Sequence, residues 1–129
     1  MMGQLVVMPD VESLAVDALN TGFAAVMPGV SWGTRIPNPR PERFGRVILS
    51  GGSQETIISD QARLLIEGWS ENEADAQRIC ALGRAILLAQ DSHLFGGTTI
   101  ATPSNLPDPR TSHTRYTAMI GVRVRATII

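Results

Sequence analysis

The sequence contains no lysine, since all 11 of its basic residues are arginine. That excludes the phosphate-binding loop that ends in Gly-Lys-Ser/Thr, and it excludes any lysine that works through a Schiff base. A single cysteine, Cys80, cannot form an internal disulfide, and a lone thiol fits a reducing cytoplasm better than a secreted scaffold. With His93 and His113 as the only histidines, no ligand cluster of zinc spacing can be drawn, so neither a metal nor any other cofactor is expected. No run approaches the roughly 20 apolar residues that a membrane span requires. The first arginine is Arg35, so the cationic start of a signal peptide is missing. Twelve acidic residues offset the arginines to a net charge of -1, which leaves no overall field to draw the chain onto nucleic acid or an anionic membrane.

The 129 residues are 43% hydrophobic, enough for one domain over 1–129 that buries roughly two thirds of its unfolded surface. Residues 1–9 read as an N-terminal arm or an early-start extension. From Val11 the apolar positions Leu14, Ala15, Ala18, Leu19, Phe23 and Val26 recur at helical spacing. Asp10 is placed to cap that helix, and Pro28 and Gly29 end it. A second helix opens on the capping-box pattern from Ser70 to Glu73 and buries Ala76, Ile79, Cys80, Gly83, Ile86 and Leu87, up to about Gln90. Between and after the helices the period drops to two. Strands are expected at Phe44 to Ser50 and Ala62 to Trp69, joined by a long flexible loop "GGSQETIISD", with shorter ones near Trp32 to Arg35 and at "GTTIAT". The resulting fold class is α+β: a mixed, mainly antiparallel sheet packed by two α-helices, in the order α-β-β-β-α-β-β.

The last strand alternates most clearly, with Tyr116, Ala118, Ile120, Val122 and Val124 on one face. Drawn straight from Tyr116 to Ile129 it would measure about 45 Å, longer than the mid-thirties diameter expected of a domain this size. Either it bends, with Gly121 the natural place, or its end joins the sheet of a neighbouring subunit.

Catalytic signals are thin. Asp91, Ser92 and His93 are the residue types of a hydrolase triad, but sequence neighbours cannot converge, and a helix-terminal turn explains them better. The glycines of "SGGS" and "FGGTT" lack a dinucleotide pattern and read as loop residues. Asp60, Glu67 and His113 could be imagined as the site of a small cytoplasmic enzyme, although nothing in the spacing brings them together, and a solvated carboxylate is the simpler account of Glu67.

Two proline-braced connectors stand out. "RIPNPRPERF" carries Pro37, Pro39 and Pro41 with Arg35, Arg40 and Arg43, and "LPDPRTSHTRY" carries Pro107, Asp108, Pro109 and Arg110. Alternating prolines fix φ and bias the preceding residue to extended geometry, which predicts stiff, polyproline-like struts. Arginines on a strut can pair with carboxylates across an interface. Simple loop rigidity accounts for the prolines equally well. Arg123 and Arg125, on the second face of the last strand, belong to an interface, a lumen or a solvated sheet face.

Taken in order, "TRIPNPRPERFGRV", "SDQARLLIEGWS", the alanine-rich helix and "LPDPRTSHTRYTAMIGVRVRA" resemble the tail terminator proteins of long-tailed bacteriophages, over about Pro9 to Thr127. Ile36 and the "GGSQETII" loop depart from that pattern. The resemblance implies a non-enzymatic structural protein of the virion. Its copies would close into a homo-oligomeric ring, usually a hexamer, that caps the tail tube and joins the tail to the head-tail connector. Its partners would be the tail tube protein and the neck proteins, with DNA crossing the lumen without specific binding. The location would be the head-tail junction, after assembly in the host cytoplasm. A neck or head-completion protein of the same virion is the alternative. In either case Arg35, Pro37, Pro39, Arg40, Pro41, Arg43, Pro107, Asp108, Pro109, Arg110, Arg123 and Arg125 are the candidates for inter-subunit or tube contact.

Overall fold

The computed structural model describes residues 3–111 and 113–128. Its elements are β1 (Val6–Val7), α1 (Val11–Val26), β2 (Ser31–Gly33), β3 (Arg43–Thr56), β4 (Ser59–Ser70), α2 (Glu73–Leu88), β5 (Leu94–Asn105), β6 (Thr114–Arg125) and β7 (Thr127–Ile128). The expected α+β order is present, with the short β1 and β7 added at its two ends.

Asp10 caps α1 as expected, accepting the Ser13 backbone N–H at 3.3 Å. The helix buries Val11, Ala15, Leu19 and Phe23 at four-residue spacing, while Val26 at its end stays exposed. In α2 the cap moves two residues downstream. Asn72, not Ser70, accepts the N–H groups of Ala74 and Asp75, and Ser70 Oγ instead accepts the N–H of Asn72. The short amide side chain satisfies the free donors of the first turn. Ser70 cannot serve as cap because it still belongs to β4.

The main sheet runs β2-β3-β4-β6-β5, parallel between β2 and β3 and antiparallel elsewhere. Both helices lie on one face, against Val47, Leu64, Ile66, Ala118, Ile120, Val122 and Val124. Side chains of α1 also reach the sheet margin. Asn20 pairs with both backbone groups of Trp32 on β2, at 2.8 and 3.1 Å, and Glu12 accepts the N–H of Leu49 on β3 at 2.8 Å.

Three expectations about the strands change. The stretch 51–60 is not a flexible loop: β3 and β4 stay paired out to Thr56 and Ser59 and turn at Ile57–Ile58. The glycines of "SGGS" and "FGGTT" therefore lie inside strands, at register shifts. Gly51 (φ 130°) sits where β3 slips against β4, a conformation that costs glycine little. The "GTTIAT" strand is the middle of the twelve-residue β5. Finally, the last strand is interrupted at Ala126, keeps an unshifted register with β4 through Gly121, and pairs within the subunit as far as Ile128, Ile129 lying outside the described residues. Ala126 donates to the Ile58 carbonyl at 2.8 Å, and Thr127 and Ile128 pair with Val7 and Val6. The expected arm is thereby part of a two-stranded ribbon over Val6–Val7.

Backbone proximity sets how α2 seats on the sheet. A Cβ at Gly68 would lie 2.5 Å from the Ala76 carbonyl oxygen and 2.7 Å from the Cys80 nitrogen, so β4 and α2 touch main chain to main chain. Gly68→Ala is expected to lower the unfolding free energy by about 1–3 kcal/mol, read as a lower urea midpoint with an unchanged denaturant slope.

Candidate interaction surface

Alternation on the strands leaves the second face of the sheet without helices. Its centre of charge is Glu67 on β4, 2% exposed. A buried carboxylate needs neutralising partners, and the neighbouring strands supply them. Arg46, paired with Glu67 in the β3 register, donates its Nε–H to Oε1, and Trp69 Nε1 donates to the same oxygen at 3.2 Å. Arg115 on β6 brings Nη1 to 3.7 Å from Oε2. The carboxylate expected in solvent is thus the best-sequestered charge on this face.

Trp69 carries the arrangement outward. Its ring stacks on Phe44 at 5.3 Å, with the Arg115 guanidinium 5.1 Å and the Arg40 guanidinium 5.2 Å from its centroid. Arg40 belongs to the first connector and reaches the second, donating Nη1–H to Asp108 Oδ2 at 2.8 Å and to Thr111 Oγ1 at 3.1 Å. Asp108 also accepts the Arg110 N–H and the Thr111 hydroxyl. These donors, Arg40 first, pull its carboxyl down from 3.8 to about 2. His113 completes the closure. It is buried, with Nε2 2.9 Å from the Pro41 carbonyl oxygen, while its Nδ1 has no partner among the described residues. The connectors are therefore not straight struts. The first bends at Asn38–Pro39, a cis peptide bond, the second turns at Pro109–Arg110, and the two are latched to each other over Trp69.

Of the sequence candidates, the structure brings together Arg40, Pro41, Asp108 and the start of β6. Arg35, Pro37, Pro39, Pro107, Pro109 and Arg110 line the exposed outside of the latched loops. Arg43 points to α2, 3.9 Å from Asp75. Arg123 sits at the far end of the open face, 3.0 Å from Glu55, and Arg125 lies 4.5 Å over the Phe95 ring. Asp60, Glu67 and His113 form no common site. Asp60 and Glu67 are seven residues apart on one strand, hence on opposite faces and about 23 Å apart. Burial pushes the Cys80 thiol up to about 12, away from thiolate chemistry. Tyr116 Oη donates to Glu73 Oε1 at 3.2 Å, and desolvation together with that carboxylate pushes the phenol's pKa up. Among the described residues, no group of three His, Cys, Asp or Glu side chains could hold a metal ion, and no helix is long and apolar enough to cross a membrane.

A second surface was not read from the sequence. Leu5, Val7, Leu49, Ile57, Ile58 and Ile128 are exposed at the end of the molecule opposite the connectors, around a groove of about 520 Å³ between β1, the start of α1 and the β3–β4 hairpin. Two adjacent isoleucines in a stretch read as loop were the available signal, because only one of such a pair can face a core.

No protein-family model matches the chain, and no curated protein matches it in sequence. Its fold does have a counterpart. A chain in a solved structure described as the virion of a native gene transfer agent particle superposes with a TM-score of 0.60 over 88% of this chain and 90% of that one, at 14% identity. At that identity the likeness is one of fold.

Two outcomes follow from the cluster. Glu67→Gln removes the charge that holds Arg46 and Arg115 together on one face, and it should destabilise the fold by about 2–4 kcal/mol in urea titrations. For Asp108 the folded value lies below the ordinary one, so the latch is fully favourable above pH 3.8 and is lost as pH falls toward about 2. A carboxyl-carbon NMR titration of Asp108 should show that low midpoint, and Arg40→Ala should move it back up.

Proposed function

We propose that this chain is a structural virion protein, a tail terminator whose copies form a ring that caps the tail tube and connects it to the neck. The observation that carries the reading is the shared fold with a chain of the gene transfer agent virion over about nine-tenths of both chains. Three features add support. The order of connectors and strands in the sequence resembles that of the tail terminator proteins. The molecule offers different surfaces at its two ends, an apolar rim with Ile57 and Ile58 at its tip and a latched, arginine-bearing loop pair opposite. Unlike ends suit a subunit that joins two different structures, while the ring itself needs separate side-by-side heterologous contacts between copies whose rotation closes. Six copies is the expected number. Arg35, Pro37, Pro39, Pro107, Pro109 and Arg110 are proposed for contacts to neighbouring subunits, with Arg40, Pro41 and Asp108 holding the loops in shape and Arg43 turned to Asp75 of α2.

DNA crossing the lumen would meet a protein of net charge -1, whose arginines are mostly engaged with carboxylates or rings. Weak contact suits passage, because each phosphate-neutralising arginine would add salt-dependent affinity and slow transit. The chemistry asked of the subunit is therefore positional.

The test mixes the purified chain with tail tubes lacking a terminator and, separately, with tailless heads, and follows binding by light scattering and electron microscopy. Capping of tubes by rings is the expected result. Binding to heads alone would move the protein to the neck, as a head-completion subunit, and binding to neither would overturn a virion role. Ile57→Asp with Ile58→Asp should weaken tube capping about tenfold or more while leaving thermal unfolding nearly unchanged, because both side chains are already exposed.

A further inference from the structure

The two margins of the main sheet differ from its middle in one respect. β4 and β6 pair over twelve residues without a register shift, whereas all five shifts in the sheet fall on β3 and β5. Register shifts at an edge have two uses: they blunt it against other strands, or they bend it so that a sheet can curve and close. Composition distinguishes the two, since edges that avoid pairing ordinarily carry charged side chains or proline. β5 has no charged residue from Leu94 to Asn105, although 18% of the chain is charged; its one proline, Pro103, lies past Thr98 to Thr102, which are all exposed. On the other margin, Asn20 and Glu12 of α1 satisfy the rim only as far as Leu49. From Ser50 to Thr56 the outer rim of β3 is exposed and carries one charge, Glu55, which is engaged by Arg123. The apolar groove of Val6, Met8, Val11, Leu49 and Ile57 runs beside it.

Direction supplies the rest. β3, β4, β6 and β5 alternate, so the two margins run opposite ways. When copies are related by rotation about an axis along the strands, β5 of one copy comes beside β3 of the next in antiparallel orientation, the more stable pairing. A sheet with an odd number of alternating strands would present them parallel. We propose that Ser50–Thr56 of β3 takes up β5 of a second copy of this chain, through Thr98–Thr102, so that the four long strands of each subunit continue into the next as one antiparallel sheet. This inference rests on the ring reading above and specifies which surfaces close the ring. The partner is another copy rather than a foreign strand, because the chain itself carries both margins, β5 without charge and β3 with only the paired Glu55, running in opposite directions as antiparallel pairing requires.

Cysteine pairs test it. Within one subunit β3 and β5 lie three strand spacings apart, about 14 Å, too far for an internal disulfide, and the buried Cys80 is a quiet background. Ser53→Cys combined with Thr99→Cys, and the neighbouring combinations of Ser50 or Ser53 with Thr98 or Thr102, are oxidised on tail tubes and in solution. A ladder of covalent oligomers from a double variant, at least about tenfold above either single variant, is expected. Rings visible on tubes with no ladder from any pair would overturn the edge pairing and leave the ring reading standing. Covalent dimers from Thr99→Cys alone would overturn it too, by showing a two-fold β5–β5 contact. A ladder without tube capping would support the edge pairing and remove the terminator role. Absence of both ladder and capping would sink both. Ala101→Lys, which adds a charge to the exposed margin, should reduce the ladder by about tenfold at unchanged thermal stability.

Discussion

A carboxylate removed from water must be met by positive charge and hydrogen-bond donors. Glu67 sets the open half of this molecule by that requirement. Arg46 and Arg115 converge on it from the strands on either side, which ties the β3–β4–β6 register to electrostatics as well as to the apolar pattern of the helix-covered face. A one-residue slip of either strand would turn its arginine to the apolar face, so the same contact guards against misregister.

From there the constraint propagates outward. Trp69, bonded to Glu67 through its indole nitrogen, offers a ring on which Arg115 and Arg40 both rest. Arg40 then needs an acid of its own, and Asp108 of the other connector supplies it. Two loops 68 residues apart in sequence are thereby clasped. The conformational entropy of two exposed loops is removed before any partner arrives, and a pre-ordered surface binds without that penalty. The opposite end is built differently: a hairpin stands clear of the helices, with apolar side chains in water that only association would cover.

Much of this was legible in the chain. The helical spacing from Val11 to Phe23 and from Ala76 to Leu87 reports a single buried stripe, and the alternation in β6 reports a one-sided strand. Asp10 caps by a local bond. The misreadings share a cause. Ser70, the glycines of 51–52 and 96–97, and Glu67 carry propensities that point to a cap, to loops and to solvent, and in each case strand pairing overrode the local preference. Gly51 marks a shift inside a strand because its neighbours have partners on β4. Glu67 is buried because two arginines, 21 residues before it and 48 after it, share its face.

The α+β class, the helix faces, the lack of lysine and disulfide chemistry, and the presence of two proline-braced connectors could all be read from the chain, because each follows from residue type or from a period of a few residues. It took the folded molecule to show that the connectors clasp each other, that Thr127 and Ile128 pair with Val7 and Val6, and that two margins nearly free of charge run in opposite directions. Those are outcomes of long-range pairing. Which backbone group or charge meets which across dozens of residues is settled by register and strand order, and no local pattern encodes it.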